Sequence, residues 1–327
     1  MTPIPASYRG AMIENSKLTV IGAGAVGSSV AYAALIRGAA RHVALYDIDA
    51  AKTEAEVLDL AHGTLFTPGS DIVGGTDISV AEGSHVVVIT AGAKQKPGQT
   101  RIELAATNAR IVRDIMQRTL EVAPDAIFVI VSNPCDVLTM LAHEGSGLPA
   151  ERVFASGTLL DSSRLRWELS RRAGVAASAV HAQIVGEHGD TEFPLWSAAR
   201  INAVPILDWA GPDGAPLFTR EELDRIAVDV RDAAYTVIQG KGATNYAIGL
   251  SSVRIVEAIL GDESAVLNVA PVLSDFHGID GVALSVPCLV DSAGARPIRE
   301  TPFDDGELER LRASAAALEK VAAGLRD

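Results

Sequence analysis

From Lys17 to about Ser156, short β-branched runs alternate with longer stretches whose apolar residues recur at helical spacing. "KLTVIG" is followed by a helical stretch to Arg37 and "HVALYD" by a second from Ala50 to Ala61. "HVVVIT" and "AIFVIV" are then separated by the helix "ELAATNARIVRDIMQRTL". Apolar strands divided by amphipathic helices predict a parallel sheet covered on both faces, an α/β arrangement. After "RVFAS" the rhythm changes. Residues 157 to 327 carry a helix from about Thr158, strand-like runs "AVHAQIV" and "ALSVPCLV", a loop "AGPDGAP" at 210 to 216, and long helices around 220 to 260. That mixture predicts an α+β unit. A last helix spaces Leu308, Leu311, Leu318 and Leu325 along one face; it is too short for sustained heptads, so docking on the domain core is expected. The expected organisation is an N-terminal arm at 1–16, a doubly wound parallel-sheet domain at 17–156 and a mixed α+β domain at 157–327.

Composition narrows the partners more than the fold. A 327-residue chain with 48% hydrophobic and 21% charged residues is globular and long enough for one large or two ordinary domains. A formal net charge of −13 argues against nucleic acid or an anionic membrane as partner, so an anionic small molecule needs locally focused arginines. Cys135 and Cys288 are too few for a disulfide framework or a cysteine metal cluster, which points to a reducing compartment and no bound metal. The opening "MTPIPASYRGAMIENS" lacks the basic start and apolar core of a secretory signal, and no segment has eighteen consecutive apolar residues. A soluble cytoplasmic protein is expected.

Five stretches carry chemistry. "IGAGAVGSSVAYAALIRG" sets Gly22, Gly24 and Gly27 as G-x-G-x-x-G between a strand and a helix. There the first glycine permits the tight turn, the second lets backbone approach a pyrophosphate, and the third lets helix and sheet pack closely. Asp47 ends the second strand twenty residues after Gly27, where an acid accepts from the adenosine ribose hydroxyls and repels a 2′-phosphate, so NAD is favoured over NADP. "SNPCD" puts Asn133 at the carboxyl end of a strand, to bind a ligand or simply to cap the next turn. "LLDSSRLRWEL" puts Asp161 and Arg164 three residues apart on one helix face. The pair reads either as an intrahelical ion pair or as an acid that orients a histidine beside a guanidinium that grips a carboxylate. "IVGEHGD" holds His188 in a glycine-flanked turn, where catalysis and a structural role are about evenly matched on those residues alone. "AGAKQKPGQTRIEL" runs from strand end through glycine and proline to Arg101, as a closing loop or as a solvated basic loop with Lys94 and Lys96.

Together "GAGAVG", "YDID", "AGAKQKPGQTR", "SNPCDVLT", "GTLLDSSRLR", "VGEHGDTEFPLWS" and "KGATNYAIG" resemble the L-lactate and malate dehydrogenase family, in order and spacing, from Lys17 onward. The resemblance implies a Rossmann domain followed by a mixed α+β substrate domain, NAD as cofactor, and reversible conversion of a 2-oxo acid to an L-2-hydroxy acid. It implies His188 as proton donor and acceptor, Asp161 as its orienting partner, Arg164 as the carboxylate clamp, and Arg101 as stabiliser of charge on the carbonyl oxygen. Asn133 would hydrogen-bond that oxygen, and Ser132 falls on the cofactor side. Thr244 and Ile248 match positions lining the substrate side-chain pocket and the nicotinamide face, although plain packing explains them equally.

Malate dehydrogenases typically carry arginine where Gln95 stands, because oxaloacetate brings a second carboxylate; a neutral glutamine favours pyruvate, and Glu187 in "GEHGD" leans the same way. A malate dehydrogenase is the nearest rival. A metal-dependent NAD glycosidase using Cys135, or a noncatalytic NAD-binding protein, leaves the set of Arg101, Asp161, Arg164 and His188 unexplained. Arg166 lies two helical residues from Arg164 and so points roughly 200° away from it. With His181 it matches positions by which some bacterial members bind fructose 1,6-bisphosphate across a twofold subunit interface, which implies a homotetramer activated by that effector.

Overall fold

The computed structural model describes residues 13–93 and 101–326, the side chains of Arg101 and Ile102 apart. Six parallel strands form its first half: β1 (Lys17–Ile21), β2 (His42–Tyr46), β3 (Asp71–Gly75), β4 (Val86–Ile89), β5 (Ile127–Ile130) and β6 (Val153–Ala155). Their order, β3-β2-β1-β4-β5-β6, is that of a doubly wound Rossmann sheet, with its crevice where the order reverses between β1 and β4. The intervening helices are α1 (Ala25–Arg37), α2 (Ala50–His62), α3 (Arg101–Val122) and α4 (Cys135–Ser146). β4 and β5 are buried at every position, as expected of strands covered on both faces. The edge strand β3, "DIVGG", was not among the expected elements, because its two glycines weaken strand propensity. One of them is needed: a Cβ on Gly74 would sit 2.6 Å from the Leu45 carbonyl oxygen and 2.5 Å from a methyl of Val57 on α2.

The second half contributes α5 (Leu159–Ala173), α6 (Arg220–Lys241), α7 (Tyr246–Leu260) and α8 (Asp305–Arg326). Its strands are β7 (Val180–His181), β8 (Ile184–Val185), β9 (Phe193–Pro194), β10 (Arg200–Ile201), β11 (Val204–Pro205), β12 (Ala265–Pro271), β13 (Val286–Asp291) and β14 (Gly294–Pro297). β12 adds antiparallel to β6, and β13 and β14 follow as a meander, so among the described residues one nine-stranded sheet runs through both halves of the chain. A smaller apolar cluster, including Leu165, Leu169, Ile201, Phe218 and Ile226, fills the space under α5 and α6.

Two expectations are corrected. "AVHAQIV" is not one strand: β7 pairs with β10, whereas β8 pairs with β9. His181 therefore ends β7 and does not begin the strand entering the catalytic turn; β8 does that. Alternation reports which face a residue takes but not which partner its backbone finds. The last helix does not dock on its own domain alone. α8 buries Glu307, Leu311, Ser314, Ala315, Leu318 and Ala322 at helical spacing and packs on α3 and α4 of the first half. Among the described residues no helix is long and apolar enough to cross a membrane.

Candidate active site

The crevice between β1 and β4 is built for a dinucleotide. Gly22 adopts φ +108°, where a Cβ would lie 2.8 Å from the Ala91 backbone nitrogen. A Cβ on Gly27 would lie 1.7 Å from the Gly22 carbonyl oxygen, so α1 can approach β1 only with glycine there. Gly24 has nothing within 4 Å of its Cβ position and caps α1 without a side-chain hydrogen bond, leaving the helix N-terminus open towards the crevice. Asp47 follows β2, and its carboxylate accepts from the backbone N–H of Ala23 at 2.7 Å and of Asp49 at 3.2 Å. Glycines, open helix end and acid together fit the pyrophosphate and ribose of NAD.

The catalytic turn is held from four sides. β8 delivers Ile184, whose carbonyl accepts from Thr158 Oγ1 at 2.6 Å and Asn268 Nδ2 at 2.9 Å, while its N–H donates to Ser162 Oγ at 2.9 Å. Gly186 exchanges two backbone hydrogen bonds with Ser285, and Glu187 N–H donates to Ser314 Oγ of α8 at 2.9 Å. His188 N–H donates to Asp136 Oδ2 at 2.7 Å, reaching across to α4 of the first half. With its backbone tethered, the imidazole has little freedom to leave the cleft.

His188 Nδ1 lies 2.8 Å from Asp161 Oδ2, and Arg164 Nη1 donates to Asp161 Oδ1 at 2.5 Å. The intrahelical ion pair and the contact between acid and histidine are thus made at once by the two oxygens of one buried carboxylate. Burial opposes the charge on Asp161, but His188 and Arg164 outweigh it and hold the carboxyl below its usual range. Burial likewise opposes the charge on His188, yet Asp161, with help from Asp136 and Glu192, raises the imidazole to about 9. At neutral pH the ring is a cation with Nδ1–H on Asp161 and Nε2–H available to a ligand. Asp136 itself is pushed up to about 7, mainly by burial. Glu192, four residues beyond the histidine, joins the same cluster.

Asp136 and Glu192 were not recognised in the sequence. An acid in the first turn of a helix and an acid before a strand are both ordinary surface placements, and only the fold turns these two inward.

The remaining expected site residues are placed as follows. Asn133 is exposed, and its side-chain oxygen accepts weakly from Cys135 N–H at 3.4 Å, the turn-capping option. Ser132 is buried and donates to the Ala91 carbonyl at 2.6 Å. Thr244 precedes α7 and Ile248 lies in its first turn, both partly buried, where α7 packs along α1. Arg166 is half-buried and lines a cleft of about 550 Å³ with Trp167, Gln183 and Arg254, while His181 is exposed opposite Arg200. Lys94, Gln95 and Lys96 lie outside the described residues, as does the side chain of Arg101. Cys135 is buried, and burial, then Asp136 and Asp161, push its thiol well up.

The chain is similar in sequence and shape to known proteins. The lactate/malate dehydrogenase NAD-binding domain matches residues 16–155, and the alpha/beta C-terminal domain of the same family matches residues 158–324. An L-lactate dehydrogenase of Bifidobacterium animalis subsp. lactis is 49% identical over 311 residues, covering 95% of this chain and 97% of the relative. One from Kosmotoga olearia is 43% identical, covering 93% and 96%. The crystal structure of a lactate dehydrogenase from a Medee basin deep-sea metagenome library superposes with a TM-score of 0.91 at 38% identity, covering 96% of this chain and 99% of that one. The minor L-lactate dehydrogenase of Enterococcus mundtii gives 0.90 at 38% identity, covering 94% and 98%. With both of its domains matched in order across nearly the whole sequence, the chain belongs to the lactate/malate dehydrogenase family and binds NAD through its first domain.

Proposed function

We propose that this chain is an L-lactate dehydrogenase, reducing pyruvate to L-lactate and running the reaction in reverse. The observation that carries the reading is the hydrogen-bonded array of Asp161, His188 and Arg164, tied to α4 of the nucleotide-binding half by His188 N–H donating to Asp136. NAD(H), when bound, supplies or accepts the hydride at the substrate carbon. His188 gives its Nε2 proton to the carbonyl oxygen in reduction and takes the hydroxyl proton in oxidation. Asp161 keeps Nδ1 protonated and stabilises the imidazolium, so the ring cannot offer the wrong tautomer. Arg164, anchored to Asp161 by one nitrogen, turns its remaining donors to the substrate carboxylate.

Residues 17–156 hold the nucleotide through Gly22, Gly24, Gly27 and Asp47, with Ser132 at the nicotinamide end. Residues 157–327 supply acid, clamp and pocket. Arg101 stabilises charge developing on the carbonyl oxygen, Asn133 hydrogen-bonds it, and Thr244 and Ile248 line the side-chain pocket. Gln95 leaves a second carboxylate unpaired and so selects pyruvate over oxaloacetate. The working form is a cytoplasmic homotetramer of a fermentative glycolytic cell, with Arg166 and His181 as a fructose 1,6-bisphosphate site.

Initial rates of NADH oxidation with pyruvate and with oxaloacetate test the reading, beside His188→Asn. Pyruvate should be preferred, and the variant should lose roughly three orders of magnitude in kcat with NADH affinity retained. Faster turnover of oxaloacetate would move the chain to the malate branch. Equal loss of NADH binding would make His188 structural.

A further inference from the structure

Four residues beyond the catalytic histidine the chain comes back to the imidazole. A turn closed by Glu192 N–H donating to the Gly189 carbonyl at 3.3 Å precedes β9, and it sets the mostly buried Glu192 side chain in the cleft. A carboxyl oxygen of Glu192, a ring nitrogen of His188 and a carboxyl oxygen of Asp161 lie within 4.8 Å of one another. Both oxygens of Asp161 are committed, one to His188 Nδ1 and one to Arg164. Glu192 therefore does not substitute for Asp161; it is an additional acid in the same pocket.

Among the described residues, the charged groups facing the imidazole come from three elements: Asp161 on α5, Asp136 on α4 and Glu192 just before β9. Glu192 in turn faces Asp161 and the cations His188, Arg164 and Arg231, and Asp136 faces Glu187. Two negative carboxylates side by side in a shielded pocket repel, whereas a carboxylate beside an imidazolium is attracted; the cheapest arrangement keeps a cation between two anions.

We propose that Glu192 is a positioning residue for proton transfer that acts through His188, serving as a further counter-charge, beside Asp161 and Asp136, that keeps the imidazole protonated into the alkaline range. The proposal rests on His188 being the acid/base. Burial, then the charge of Asp161, raise Glu192 to about 8, below the value of about 9 for His188. An ionised Glu192 beside the imidazolium opposes loss of the His188 proton, and the imidazolium in turn favours ionisation of Glu192. Around neutrality, where Glu192 is largely protonated, its contribution is small.

Histidine 15N NMR on the ligand-free protein tests this directly, with His188→Asn identifying the resonance among seven histidines. In Glu192→Gln the His188 midpoint should fall by about one pH unit, the lower end of the shift that a nearby opposite charge produces. Glu192→Asp, which keeps the charge, should recover much of it. Glu192→Ser serves as a second neutral variant should Gln disturb the turn, with NADH binding reporting that either variant is folded. In kinetics, the alkaline limb of kcat/KM for pyruvate reduction and the acid limb for lactate oxidation should move to lower pH together. An unmoved His188 midpoint in a folded neutral variant overturns the proposal. The NMR result stands whatever substrate the enzyme turns over, so failure of the activity reading is distinguishable from failure of this one.

Discussion

Asp161 shows how much of the site a residue spacing can carry. At the level of sequence, an acid and an arginine three apart are neighbours on a helix and nothing more. The structure spends one oxygen of that acid on Arg164 and the other on His188, 27 residues away, so the ion pair and the orienting acid are one side chain. Asp136 was illegible for the opposite reason: nothing local sets it apart, and its bond to the His188 backbone exists only because α4 and β8 meet. The proposed choice of pyruvate over oxaloacetate turns on another residue, Gln95. Gln95→Arg should shift the ratio of specificity constants from pyruvate towards oxaloacetate by about two orders of magnitude, because it pairs the second carboxylate and leaves an excess charge over pyruvate. An unchanged ratio in steady-state kinetics sinks that assignment.

At the scale of elements, the glycine motif was legible because steric exclusion is local. β1, its turn and α1 can adopt this geometry only if Gly22 takes a positive φ and Gly27 lacks a side chain. Gly27→Ala should therefore lift α1 from β1, lowering thermal stability by about 1–3 kcal/mol and weakening NADH binding by at least tenfold. Calorimetry and NADH fluorescence read the two effects, and unchanged NADH affinity would separate the motif from the cofactor. "AVHAQIV" failed as a single strand because each half is only two residues long and each pairs elsewhere, a matter of partners 8 to 21 residues distant.

The whole molecule places the acid/base at a junction. α8 enters through a reciprocal capping pair, with Glu307 N–H donating to Asp304 Oδ1 at 2.8 Å and Asp304 N–H donating to Glu307 Oε2 at 2.9 Å. It then lies across α3 and α4 and holds the catalytic turn through Ser314. Assembly is the scale of the regulatory reading. Two copies of Arg166 and His181 facing each other across a twofold axis would repel until a bisphosphate neutralises them. Millimolar fructose 1,6-bisphosphate should therefore lower the pyruvate concentration at half saturation, and Arg166→Ala with His181→Ala should abolish the effect. Superimposable saturation curves with and without effector would remove it.

The sequence by itself determined the alternation that makes the parallel sheet and the glycines and acid of the nucleotide crevice, and it singled out Asp161, Arg164 and His188 as one set. Each of these depends on backbone period, on steric exclusion within one turn, or on residue types brought together in a familiar order. Only the tertiary structure decided that β12 joins β6 and carries the first sheet into the second half, that α8 reaches over to α4, and that Asp136 and Glu192 close on His188. Those outcomes follow from which distant surfaces bury one another, and burial is what turns two ordinary carboxylates into partners of an imidazole.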